Sequence, residues 1–228
     1  MAAGSAPTVA RPKARLWDAP TRIVHWALVA LIGFSWWSAE AGRMEWHRWA
    51  GYAVLGLIVF RLIWGVVGSA SARFSGFVPS LADTIAYAKT LPIRTRSEHA
   101  GHNPLGAWSV VAMLAAISGQ VITGLFSVDI DGLESGPLSD RVSFEIGRQF
   151  AEWHQWIFSV IQILVLLHLA AVAFYLLYKR TNLIAPMLTG RRAFASDPAL
   201  SFAPLWRAIL VAVFAAAITW WVMGGLRL

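Results

Sequence analysis

The feature that most constrains this chain is a long uncharged run in its C-terminal half. Between Glu152 and Lys179 the sequence contains no charged residue. A helix rises about 1.5 Å per residue, so this run is long enough to cross a hydrocarbon core about 30 Å thick. We therefore interpret it as a membrane-spanning helix.

Four other apolar stretches have a comparable length. The residues are 57% hydrophobic and only 14% charged, which is too few charges to cover a soluble surface of this size. The chain contains thirteen tryptophans, a residue type that is enriched at membrane–water interfaces. We predict an all-α membrane protein with a four-helix transmembrane bundle and a fifth transmembrane helix. The predicted spans are about 17–38, 47–67, 105–128, 153–178 and 205–225.

The spans divide the chain into three parts. Residues 1–16 are predicted to be a cytoplasmic tail, because they lack the apolar core of a removable signal peptide directly behind their charges. Residues 17–192 hold the four-helix bundle, and residues 193–228 are a linker and the fifth helix. The long polar connection after the second span is predicted to be loop, with one short surface helix at about 81–91.

The basic residues are distributed unevenly over the connecting segments. With the N-terminus inside, 14 of the 19 Lys and Arg residues lie on the inner side and 5 on the outer side. Cytoplasmic segments carry such an excess, so the predicted orientation is N-terminus inside and C-terminus outside. This excess also accounts for the net charge of +7, and we expect no nucleic-acid partner.

The connection at 129–152 then faces outward and carries six carboxylates and two arginines. Opposite charge guides association between proteins. The segment is therefore either a docking surface for a basic partner or an ordinary solvated loop.

Four of the six histidines lie in or at the ends of the spans. Polar side chains in a membrane are costly and usually functional. His154 and His168 are fourteen residues apart, which places both on one face of a helix and about 21 Å apart along its axis. Depth alone pairs His25 with His168 near the inner face and His47 with His154 near the outer face.

The chain contains no cysteine, which excludes covalent haem attachment and cysteine-ligated clusters. Zinc needs four ligands, or three and water, and no carboxylate lies at these depths. A haem iron needs only two axial ligands from the protein. We therefore predict two non-covalent, b-type haems, with His25, His47, His154 and His168 as the iron ligands.

The sequence gives weaker indications of a role at the haem sites for four other residues. Arg61 follows His47 by fourteen residues, so it either pairs with the propionates of the inner haem or is an ordinary inner-side arginine. Gly51, one turn after His47, leaves room for a flat ring. We expect His99 and His102 to be loop residues without a redox role; the alternative is that they bind propionate or line a quinone site.

Four stretches carry a family resemblance: WDAPTRIVHW (Trp17–Trp26), WHRWAGYAVLGLIVFRLIWGVVG (Trp46–Gly68), GHNPLGAW (Gly101–Trp108) and WHQWIFSVIQILVLLH (Trp153–His168). Together with the later PMLTGRR they resemble the bacterial cytochrome b561 family, which includes the b-type cytochrome subunits of nickel–iron hydrogenases. The resemblance covers about residues 17–192. It implies a four-helix core in the bacterial inner membrane, with two b haems on His25, His47, His154 and His168.

The resemblance also implies a function. Family members move electrons between the quinone pool and an outer-face (periplasmic) partner, such as a c-type cytochrome or a dehydrogenase. One alternative is a self-sufficient quinone-linked oxidoreductase acting on a small molecule such as superoxide, which requires a positively charged approach beside Arg43 and Arg48. A further alternative is a haem-free transporter of metal ions or protons. The fifth helix is not implied by the resemblance.

Overall fold

The protein was analysed as a computed structural model that describes residues 13–95, 99–131 and 134–227. Within these ranges, five helices are long and apolar enough to cross a membrane: Ala19–Glu40, Met44–Val67, Pro104–Phe126, Phe144–Leu177 and Leu205–Met223. The predicted all-α membrane fold is confirmed. In chain order the elements are β1 (Lys13–Arg15), α1 (Ala19–Glu40), α2 (Met44–Val67), α3 (Phe74–Phe77), α4 (Leu81–Ala88), α5 (Pro104–Phe126), a 3-10 turn (Ser139–Arg141), α6 (Phe144–Leu177), α7 (Ile184–Thr189), β2 (Arg191–Ala193) and α8 (Leu205–Met223).

Local sequence signals set the starts of α1 and α5. The Asp18 carboxylate accepts a hydrogen bond from the Thr21 N–H at 2.9 Å, and the Asn103 side chain accepts one from the Gly106 N–H at 2.8 Å. In each helix a proline follows within the first two positions, where its missing N–H costs nothing. We call the end of the bundle where α1 and α5 begin the inner end, and the opposite end the outer end.

The start of α6 differs from the prediction. The helix begins at Phe144 instead of near residue 153, because Ser143 caps it and Glu145 lies in its first turn. With 34 residues it is about 51 Å long, so it extends beyond the hydrocarbon core. Part of the predicted outer loop is therefore the first turns of α6.

The four core helices are arranged as two packed pairs. Helix α1 packs along α2, and α5 packs along α6, while a smaller contact joins α2 to α5. Within the described residues no comparable backbone packing joins α1 to α6. The two helix pairs thus face each other across a space that α1 and α6 border.

Helix α8 packs on the side of α2. At its inner end, Arg207 donates to the Val67 carbonyl at 3.0 Å. At its outer end, Arg141 donates to the Gly225 carbonyl at 2.7 Å, and Arg227 pairs with Asp140 at 2.6 Å. The fifth helix is therefore held by hydrogen bonds at both ends, and it packs along α2.

The inner end is covered by a short antiparallel pairing of β1 with β2. Gly190 makes this possible, since its φ is +78° and its carbonyl accepts from the Leu16 N–H at 2.8 Å. A Cβ at this position would lie 2.9 Å from the Trp17 carbonyl oxygen. The end of the predicted N-terminal tail is thus a strand, which pairs with residues far along the chain.

Replacing Asp18 tests how much its contacts stabilise the inner end. Besides capping α1, this buried carboxylate accepts from the Trp64 indole N–H at 3.0 Å. In Asp18→Ala the lost cap costs about 1 kcal/mol and the unpaired buried donor about 1–3 kcal/mol. We expect the free energy of unfolding in detergent to fall by about 2–4 kcal/mol.

The matched control is Asp18→Asn, whose single carbonyl oxygen can still cap α1, while its NH2 group replaces the oxygen that accepts from the indole. We expect a smaller loss of stability in this variant. An alanine variant as stable as the unchanged protein would contradict the role assigned to Asp18.

Candidate functional site

The structure brings four histidines together in two pairs. The rings of His25 on α1 and His168 on α6 have centroids 6.5 Å apart and are inclined by 53°. The rings of His47 on α2 and His154 on α6 have centroids 5.9 Å apart and are inclined by 79°. We call these the inner pair and the outer pair; they are the same pairs that depth along the sequence predicts.

The separation within each pair has a chemical meaning. An imidazole nitrogen binds a first-row metal ion at about 2 Å, and the ring centre lies roughly 1 Å further away. Two rings on opposite sides of one ion therefore have centroids about 6 Å apart. Both observed separations are close to this value, although the rings approach from different helices.

Hydrogen bonds fix the ring orientation of the outer pair. The Nδ1–H of His47 donates to the Ser35 carbonyl at 2.9 Å, with the Ser35 hydroxyl at 3.1 Å. The Nδ1–H of His154 donates to the Gln120 carbonyl at 2.9 Å, with the Thr123 hydroxyl at 3.3 Å. A carbonyl can only accept, so each ring carries its hydrogen on Nδ1 and leaves the Nε2 lone pair free for a metal.

A glycine on α5 makes room for the His154 ring. A Cβ at Gly124 would lie 2.9 Å from Cε1 and 3.2 Å from Nδ1 of that ring. Sequence reasoning missed Ser35, Gln120, Thr123 and Gly124. Ser35 and Gln120 contribute backbone carbonyls, which no side-chain pattern reveals, and Thr123 is one of several hydroxyl side chains in an uncharged span.

The inner pair has no such hydrogen bonds. The Nδ1 atom of His25 is buried without a partner among the described residues, and the same part of the chain gives the His168 ring no hydrogen bond. The residues beside His25 contact α7 instead. Arg22 donates to the Leu188 carbonyl, and Trp26 donates to the Met187 carbonyl at 3.2 Å.

Arg61 lies at the inner end of α2 and is only 6% exposed. Its guanidinium donates to the Ala72 carbonyl at 3.3 Å and lies 5.1 Å from the centre of the Phe74 ring. Asp18 is near enough to interact with it electrostatically. Arg61 is thus a buried cation, and its pairing with a propionate stays a prediction.

The two loop histidines lie against other rings at the inner end. His102 lies between Trp17 and Phe77, with ring centroids 4.8 and 4.7 Å away, and its Nδ1 is buried without a described partner. Desolvation, followed by repulsion from Arg61, lowers the pKa of His102 to about 3. The imidazole is therefore neutral at neutral pH.

His99 lies 5.1 Å from the ring of Tyr87, and its carbonyl accepts from Arg192 at 3.2 Å. Burial and the charge of Arg192 lower the pKa of His99 as well. The expectation that neither loop histidine has a redox role stays a prediction.

The charges of the outer end partly cancel. Glu134 forms an ion pair with Arg48, and Asp140 forms one with Arg227. Arg43 lies over the Trp46 ring, 5.8 Å from its centre. The outer connection is therefore less acidic than its sequence suggests, and the approach beside His47 is less basic.

Comparison with known families gives one match. The family model for prokaryotic cytochrome b561 matches residues 16–190. The chain belongs to the prokaryotic cytochrome b561 family. Searches of curated proteins and of solved structures gave no match. The family establishes a multi-pass membrane protein that transfers electrons through b-type haem, and α8 lies beyond the matched residues.

The residues present fit a b-type haem. Within residues 13–95, 99–131 and 134–227, no group of three or more His, Cys, Asp or Glu is arranged to hold a metal ion. A haem needs only two protein ligands, and each facing pair supplies two. A Cβ added at Gly51 would meet no atom within 4 Å, so the backbone beside His47 borders open space.

Replacing His168 tests whether the inner pair holds a haem. We expect His168→Ala to lose one haem and keep the other, since the outer pair does not depend on it. The measurement is a pyridine haemochrome assay of purified protein, normalised to chain concentration. His102→Ala is the control and should keep both haems; a folded His168→Ala protein with full haem content would contradict the assignment.

The pKa of His102 predicts an acid-sensitive inner end. The unfolded side chain titrates near 6.5 and the folded one near 3, so between these values the unfolded chain binds more protons. Burial of His102 therefore makes the protein less stable as the pH falls from about 6.5 toward 3. We expect the apparent melting temperature of His102→Asn to fall less between about pH 7 and pH 5 than that of the unchanged protein. Parallel curves would contradict this account.

Proposed function

We propose that the protein is a transmembrane electron carrier with two b haems, held by His25 with His168 and by His47 with His154. The observation that carries this proposal is the stacking of two facing imidazole pairs at two depths of one bundle. Both pairs share α6, so a single rigid helix sets the distance between them.

The chain provides ligands, spacing and an apolar surround. A bound haem supplies an iron that gains and loses one electron. Helix α6 separates His154 from His168 by about 21 Å along its axis. The gap between two macrocycle edges is shorter than this, which makes electron tunnelling between the two depths physically reasonable. The apolar helices exclude water from the path.

The proposed partners follow from the two ends of the path. We assign the quinone pool as one redox partner and an outer-face haem protein or dehydrogenase as the other. The outer end retains Asp129, Asp131, Glu145 and Glu152 outside the two ion pairs that neutralise Glu134 and Asp140. These carboxylates would favour a partner with a basic surface. The orientation with the N-terminus inside belongs to this proposal.

The alternatives have less support. A superoxide-directed enzyme needs a basic approach to the outer pair, and Arg48 is engaged by Glu134. A metal transporter needs more ligands at each site than the facing pairs supply. We therefore do not propose either activity.

The deciding measurement is a dithionite-reduced minus air-oxidised absorption spectrum, with pyridine haemochrome quantitation. We expect a b-type spectrum and two haems for each chain. One haem for each chain would mean that only one of the two histidine pairs binds haem. A folded protein without haem, purified from haem-replete cells, would overturn it.

Partner assignment needs a second measurement on the same protein. We expect a reduced quinone analogue to reduce both haems in stopped-flow mixing. Absence of reduction by any quinol, in protein that dithionite reduces fully, would remove the quinone pool from the proposal.

A further inference from the structure

The two histidine pairs differ in what their Nδ1 atoms contact. In the outer pair both Nδ1–H groups donate to helix backbone carbonyls, from Ser35 and Gln120, at 2.9 Å. In the inner pair, Nδ1 of His25 has no partner within the described residues. This difference has a consequence for any metal bound to Nε2.

A hydrogen bond from Nδ1–H to a carbonyl raises the basicity of the ring. A more basic ligand stabilises the more highly charged, oxidised state of a bound iron. Hydrogen bonding around the ligands is one of the means by which a protein sets a haem potential. The contacts of the outer pair therefore favour a lower midpoint potential than those of the inner pair.

The charges near the two ends give no separate preference. Arg61 is a buried cation at the inner end, but the buried Asp18 carboxylate lies near enough to offset part of its charge. At the outer end the charge of Arg48 is balanced by Glu134. The helix dipoles give no preference, because two core helices begin and two end at each face.

We propose that Ser35, Gln120, Thr123 and Gly124 are positioning residues that lower the midpoint potential of the outer haem below that of the inner haem. This inference rests on the proposed function. It makes the transfer of one electron from the outer to the inner centre the downhill direction. Gly124 admits the His154 ring, Gln120 and Ser35 supply the carbonyl acceptors, and Thr123 holds a second oxygen near Nδ1.

Gly124→Ala is the first test, because its Cβ would displace the His154 ring from the Gln120 carbonyl. We expect a redox titration to show two waves in the unchanged protein, with the lower wave moving upward in the variant and the higher wave staying in place. The low-spin signal of one haem should change in electron paramagnetic resonance. Gly119→Ala is the matched control on α5, since its Cβ would make only an ordinary contact with Ile157 at 3.5 Å.

A second variant with a smaller structural change tests the inference if Gly124→Ala loses its outer haem or fails to fold. Thr123→Val keeps the shape of the side chain and removes the hydroxyl 3.3 Å from Nδ1 of His154. We expect a smaller upward shift of the lower wave, and we expect Thr123→Ser to restore the original value. Unchanged potentials in both Gly124→Ala and Thr123→Val, or a shift of the higher wave alone, would overturn the inference.

The variant His154→Ala shows which haem gives which wave of the redox titration. It should abolish the lower wave if the outer haem has the lower potential. Loss of the higher wave would overturn the order proposed here. Protein that binds no haem would instead count against the proposed function, whereas two haems with the wrong order would count against this inference alone.

Discussion

Burying imidazoles among apolar helices imposes the main constraint on this structure. A polar group in such surroundings is costly unless it is hydrogen bonded or bound to a metal. In the outer pair, Nδ1 of each ring satisfies this requirement by donating to a carbonyl of the neighbouring helix, from Ser35 on α1 and from Gln120 on α5. The opposite nitrogen of each ring, Nε2, then keeps a lone pair that is free for a metal. The packing of α1 with α2 and of α5 with α6 supplies these carbonyls.

The remaining elements close the ends of this bundle. The paired strands β1 and β2 cover the inner end, together with the residues around His102. Helix α8 braces α2 from the side, with Arg207 at one end and Arg227 at the other. None of these elements supplies a member of either pair. They keep the inner ends of the helices ordered and fix α2, which carries His47.

The electrostatics of the outer end depend on contacts between distant segments. Counting residues along the chain gives an acidic connection beside two free arginines. In the folded protein, Glu134 and Arg48 neutralise each other, and so do Asp140 and Arg227. The charge that an approaching partner meets is therefore smaller than either segment suggests. Charge pairing of this kind depends on which segments become neighbours.

The sequence by itself determined the membrane spans and the pairing of the histidines by depth. Uncharged runs must lie in lipid, and a period of 3.6 residues places His154 and His168 on one face. It did not determine the start of α6, which a serine cap moves to Phe144. It also left the partners of Nδ1, the surroundings of Arg61 and the pairing of β1 with β2 undecided. Those depend on the tertiary structure, because each joins groups on different elements of the chain, and no local periodicity encodes such a contact.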